Sequence, residues 1–247
     1  MNLIERYNNG ETVSVWKDIE MMRQDAFKPE IYSEVVKVLD ETFRRVRFNL
    51  EVIYEELLKI DYNFNIDESY NSLKPLNKPL KNAFKLLDKL DKMVKPFGYV
   101  PVTLKKFYQI VGSCNLGWDF ENNEEFMWHY SDPIQIGSLD DLIEEMKDND
   151  WVEMMNENVD EGEPVYLELA ADFYHKDNVS GGMAYSIEIT KQPSIDSLFL
   201  FEEHEITFVN YLRICFENCG FSRITNPENK NNYKAFFEAV KPKLKPI

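Results

Sequence analysis

Val100-Pro101-Val102-Thr103-Leu104-Lys105-Lys106-Phe107-Tyr108, continued by Val111-Gly112-Ser113-Cys114-Asn115-Leu116-Gly117-Trp118, is the stretch on which the fold turns. Pro101 can open a helix without penalty, because a first-turn N–H has no intrahelical partner to lose. Leu104, Phe107, Tyr108 and Val111 then fall on one face of a helix over Val102–Val111, and Gly112 ends it. The next residues, Cys114 to Asp119, read as a short strand. A helix that runs straight into a strand points to a mixed architecture.

Working outward, the N-terminal side is helical. Ile31, Val35, Leu39, Phe43, Val46, Leu50, Ile53, Leu57 and Ile60 recur at steps of three and four. That spacing predicts one long amphipathic helix, whose apolar face packs on its own domain or forms a seam with a partner. A shorter helix is expected over Val13–Ala26. The polar segment Asp61 to Lys81, with Pro75 and Pro79, reads as a loop and as the best boundary. A helix follows with Leu80, Phe84, Leu87, Leu90 and Val94 on one side and a row of lysines on the other.

On the C-terminal side, strands are expected at Phe126–His129, Pro133–Ile136, Val165–Ala170, Met183–Ile189 and Ser197–Phe201. Ser138 is placed to cap a helix over Leu139–Met146, with Asp140 and Asp141 suited to its positive end. Thr207 begins another helix, and Asn231–Val240 reads as a last short one. The expected fold class is α+β: a small, twisted, mostly antiparallel sheet flanked by helices, with an N-terminal helical extension. Residues 1–75 form that extension and 76–247 the α+β domain.

Charge is the most unequal property of the chain. Between Ser113 and Asp172 lie 18 acidic residues and one base, Lys147, while the whole protein has a net charge of −16. Such a surface attracts basic partners, speeds encounter and repels nucleic acid. A pI near 4.7 argues against DNA or RNA as a direct ligand. The start, Met1-Asn2-Leu3-Ile4-Glu5-Arg6-Tyr7, turns polar at once, so no leader is expected. No run approaches the length of a membrane span. Three cysteines, Cys114, Cys215 and Cys219, suit a reducing, cytoplasmic setting.

The central stretch resembles the core motif of the SUKH superfamily, the family of yeast cell-wall-synthesis regulators and bacterial immunity proteins. The proline-opened helix, its leucine and aromatic pair, and the glycine-containing continuation carry the likeness. Asp132-Pro133-Ile134-Gln135-Ile136 with Ser138-Leu139-Asp140-Asp141-Leu142 resembles the next element. Asp172, Asn178, Gly181 and Tyr185 resemble the late hairpin, and Phe208, Tyr211 and Leu212 the C-terminal helix. The likeness spans about Asn77 to Phe221. Trp151 to Pro164 has no counterpart in it. The resemblance implies a binding module rather than an enzyme: an immunity-type protein that neutralises a basic, nucleic-acid-targeting toxin domain. The alternative is a regulatory or scaffolding module acting through the N-terminal helix.

The partner-binding residues expected on that reading are Asp119, Glu121, Glu124, Glu125, Trp128, Asp140, Asp141, Glu144, Glu145 and Trp151. Trp and Tyr ringed by polar groups are the usual anchors of an interface. Trp118 and Phe126 read instead as core. No catalytic constellation, cofactor loop or metal spacing is found. Asp172 and His175 at i, i+3 read as a surface histidine beside a carboxylate. Cys215 and Cys219 read as two buried thiols on one helix face.

Overall fold

The computed structural model describes residues 2–65, 74–123, 127–225, 229 and 233–247. Three helices open the chain: α1 (Leu3–Asn8), α2 (Thr12–Met22) and α3 (Pro29–Leu58). The helix expected over Val13–Ala26 splits, with Arg23–Phe27 tightening into a 3-10 turn. Pro29 occupies the first turn of α3, where its ring fixes φ and its missing N–H costs nothing.

The stripe read from periodicity is the face that α3 buries. Val35, Leu39, Phe43, Val46, Ile53 and Leu57 are fully enclosed, with Ile31 and Ile60 left at the two ends. Their cover comes from within the chain. Phe43 meets Phe107 of α5 (Val102–Ile110) edge-on at 6.3 Å. Thr42 on the same face donates to the Tyr7 hydroxyl at 2.8 Å and accepts from Trp16 Nε1 at 3.2 Å, tying α1 and α2 to α3. Asn49 exchanges two hydrogen bonds of 2.8 Å with the backbone of Lys245, so the C-terminal tail closes over α3 too. The apolar packing therefore runs without a break across residue 75, and the apolar face of α3 is not presented to an outside partner.

Among the described residues, two small antiparallel sheets carry the rest. The first has the order β1 (Leu76–Asn77), β2 (Ser113–Asn115), β3 (Gln135–Ile136). The second has β4 (Tyr166–Ala170), β5 (Tyr185–Glu188), β6 (Phe199–Leu200). Gly137 N–H donates to Leu169 C=O at 2.7 Å and links the two. The α+β class stands, with two three-stranded sheets in place of one. Around them lie α4 (Ala83–Val94), α6 (Leu139–Glu145), α7 (Asn149–Glu161), α8 (Phe173–Lys176), α9 (Phe208–Glu217) and α10 (Tyr233–Val240). Helix α9 covers the second sheet, where Tyr211 lies 4.4 Å from Phe199.

Two local expectations fail for physical reasons, and one stretch left without an assigned element proves helical. Met127, Trp128 and His129 form no strand, because Trp128 turns inward to an aromatic cluster and Tyr130 and Asp132 take positive φ; Phe126 lies outside the described residues. Trp151–Pro164 is mostly helix α7, which Gly162 terminates in the left-handed conformation. Cys219 lies past the end of α9 at φ 56°, not on its face.

The stretch Val111–Ser113 positions what matters for function. Gly112 has φ +104°, and a Cβ there would stand 2.1 Å from the Asn77 carbonyl oxygen. Only glycine lets β1 cross so close to the end of α5.

Candidate functional site: an acidic cleft between the sheets

Where β1–β2–β3, α5, α6 and β4 converge, they leave a cleft of about 580 Å³. That volume falls in the range of small-ligand sites. Its floor is apolar: Leu80 and Ala83 before and in α4, Cys114 of β2, Ile136 of β3 and Leu142 of α6. Burial pushes the Cys114 thiol up to about 12, so it stays protonated and inert.

The wall is acidic. Helix α6 begins as expected, with Ser138 Oγ accepting from Asp141 N–H at 3.3 Å. This cap sets Asp140 and Asp141 at the cleft, and one turn later Glu145. Glu168 joins them from β4. In the strand Tyr166-Leu167-Glu168-Leu169-Ala170, alternation turns Leu167 and Leu169 inward and Glu168 out. Burial raises the proton affinity of Glu145, and the neighbouring carboxylates of Glu168 and Asp141 raise it further. Burial does the same to Asp141, opposed by its bond to Ser138 and aided by Asp140. Among the described residues none of these four carboxylates forms an ion pair.

One polar atom in the cleft is left over. Tyr108 is 2% exposed, and its hydroxyl has no hydrogen-bond partner. The acids that act on that hydroxyl are Glu145, Asp141 and Asp140. A buried O–H without a partner carries a desolvation cost, so such groups are rare in folded proteins.

The residues expected to bind a partner thus divide. Asp140, Asp141 and Glu145 gather at the cleft. Glu144 is exposed on the same helix and paired with Lys147. Asp119 is occupied locally, its carboxylate accepting from Asn122 N–H at 3.2 Å, and Glu121 is exposed beside it. Glu124 and Glu125 lie outside the described residues. Trp151 is half-buried: its ring meets Phe97 edge-on at 5.3 Å and its Nε1 donates to Tyr166 C=O at 3.3 Å. Trp128 corrects the expectation outright. It is 4% exposed and packed inside a cluster with Tyr62, Phe221 and Phe236, so it is part of the core and not a surface anchor. Trp118 sits in the core as read, with its ring 5.0 Å from Tyr62. Sequence reasoning missed Tyr108, which its spacing placed with the apolar face of α5, and Glu168. The signal for Glu168 was present: it is the lone acid in an apolar alternating strand.

The remaining candidates are structural. Asp172 caps α8, accepting from Tyr174 N–H at 2.8 Å while touching His175 Nδ1, and His175 is exposed. Asp132 is buried and ion-paired to Lys176 Nζ at 2.6 Å. Among the described residues no group of three or more His, Cys, Asp or Glu could hold a metal ion. Among them, too, no helix is long and apolar enough to cross a membrane. No family model, curated protein or solved structure matches the chain.

Proposed function

We propose that the protein is a non-catalytic binding module that captures a basic protein on the acidic surface around the cleft, in the manner of an immunity-type inhibitor of a nucleic-acid-targeting toxin domain. The observation that carries this reading is the crowding of Asp140, Asp141, Glu145 and Glu168, from two elements, none of them ion-paired among the described residues although Lys78 lines the same cleft. Carboxylates that raise one another's proton affinity lose that repulsion when a cation arrives. Helix α7 extends the same sign of charge, since Glu153, Glu157 and Asp160 are exposed and spaced along one side. Proteins that act on nucleic acid carry basic sites, and an acidic surface steers toward them at long range. The likeness of residues 77–221 to the SUKH motif agrees with this role.

The test uses the full chain as bait in rising salt, beside a variant carrying Glu144→Lys, Glu153→Lys and Glu157→Lys. All three side chains are exposed and outside the cleft, so the fold should persist by circular dichroism. Recovery of one basic protein that elutes as salt rises, and is lost with the triple variant, is the expected result. Equal recovery by both baits would overturn the reading.

A further inference from the structure

We infer that the cleft is a receptor for a guanidinium group on an aliphatic stem. The inference stands on two independent features. The first is the shape of the charge: an apolar floor of Leu80, Ala83 and Ile136 beneath a rim of carboxylates. A long basic side chain has this division, with methylenes along its length and charge at its tip. The second is the hydroxyl of Tyr108, a residue that lines the same cleft, which is buried and has no partner. A planar guanidinium presents several N–H donors in a fixed fork. It can bond two carboxylates and still offer an N–H to the phenol oxygen. An ammonium is more compact and more strongly hydrated, and serves this spread of acceptors less well. A neutral or anionic ligand would leave the acids unmatched.

The guanidinium can come from an arginine of the captured protein or from a free alkylguanidine. The first source rests on the acidic-surface reading above, and the second does not. The separation matters because the cleft acids can be changed apart from Glu153 and Glu157 of α7.

The probes are n-butylguanidinium and its neutral isostere n-butylurea, titrated into the full chain by calorimetry. Butylguanidinium should bind and butylurea should not. Tyr108→Phe keeps the ring and removes only the hydroxyl. It should weaken butylguanidinium binding about 3- to 10-fold, the worth of one hydrogen bond. Glu145→Gln with Glu168→Gln should weaken it by about 10-fold or more, since charge-assisted bonds are the stronger kind. Butylurea binding as well as butylguanidinium would overturn the inference. So would unchanged affinity in both variants, or no binding of butylguanidinium to the native chain. Competition between butylguanidinium and the captured basic protein assigns the guanidinium to that partner's arginine. Binding without competition assigns it to a free ligand. Loss of partner capture in a variant with only the α7 changes Glu153→Lys and Glu157→Lys leaves butylguanidinium binding unchanged, so the two proposals can fail separately.

Discussion

The buried junction around Asp132 and the cleft around Tyr108 hold similar chemistry in opposite states of completion. In the junction the buried carboxylate of Asp132 is matched, although the neighbouring Tyr211 hydroxyl has no partner among the described residues. Asp132 accepts from Lys176 Nζ at 2.6 Å, from Ser222 Oγ at 2.6 Å and from the Tyr185 hydroxyl at 3.1 Å. Lys176 also lies 4.6 Å from the centre of the Tyr185 ring. The two charged side chains are 2% and 3% exposed. In the cleft, among the described residues, four carboxylates lack an ion pair, with only Ser138 Oγ beside Asp140 and Asp141, and a phenol lacks a hydrogen bond. A satisfied polar network holds a fold in one arrangement, whereas an unsatisfied one stores interactions for a ligand. Buried charge alone thus does not mark a site; unmatched charge does.

The largest effect should come from breaking the matched region. Lys176→Met leaves Asp132 buried without its cation and should cost about 3–5 kcal/mol in urea unfolding. Adding Asp132→Asn to that variant should restore part of the loss, because the stranded charge is gone. A double variant less stable than the single one would mean that the junction is not a charge pair of this kind.

Next in size, Trp128→Ala should cost about 3–5 kcal/mol by emptying the cluster of Tyr62, Phe221 and Phe236. A loss of partner binding without loss of stability would return Trp128 to the surface. In the unmatched region, Tyr108→Phe should change thermal stability little, by less than about 1 kcal/mol in either direction, because no hydrogen bond is lost. A large destabilisation would show that the hydroxyl is already satisfied.

The last effect is one of pH. Asp196 accepts from Thr103 Oγ1 at 2.8 Å and from Val209 N–H at 3.1 Å, and burial raises its carboxyl to about 6. The folded state therefore holds this proton more tightly than the unfolded chain does. Stability should fall as pH rises from about 4 to about 6, since the unfolded chain ionises first. Asp196→Asn should flatten that segment of the stability–pH curve. A curve of unchanged slope would place the titration elsewhere.

Much of this was legible beforehand. The face of α3, the proline start of α5, the Ser138 cap and the strands near Val165, Met183 and Ser197 all follow from local spacing and turn chemistry. Three of the acids at the cleft were legible as charge. Helix α7 was not, because only Met155 in it is fully buried and its short apolar face, Trp151, Met154 and Met155, is set among acids.

What the sequence by itself determined is the element order, the apolar faces and the concentration of acid between Ser113 and Asp172. These are properties of residues three, four or two positions apart, and short-range geometry sets them. Which acids meet, and whether anything neutralises them, was decided by tertiary structure alone. Asp141 and Glu168 are distant in sequence, and Tyr108 is farther from both. Only the close crossing at Gly112 and the Gly137–Leu169 link between sheets bring them around one cleft. The same holds for Trp128. Its acidic neighbours made it look like a surface anchor, yet its surroundings were set by Tyr62 and Phe221, whose positions no local pattern records.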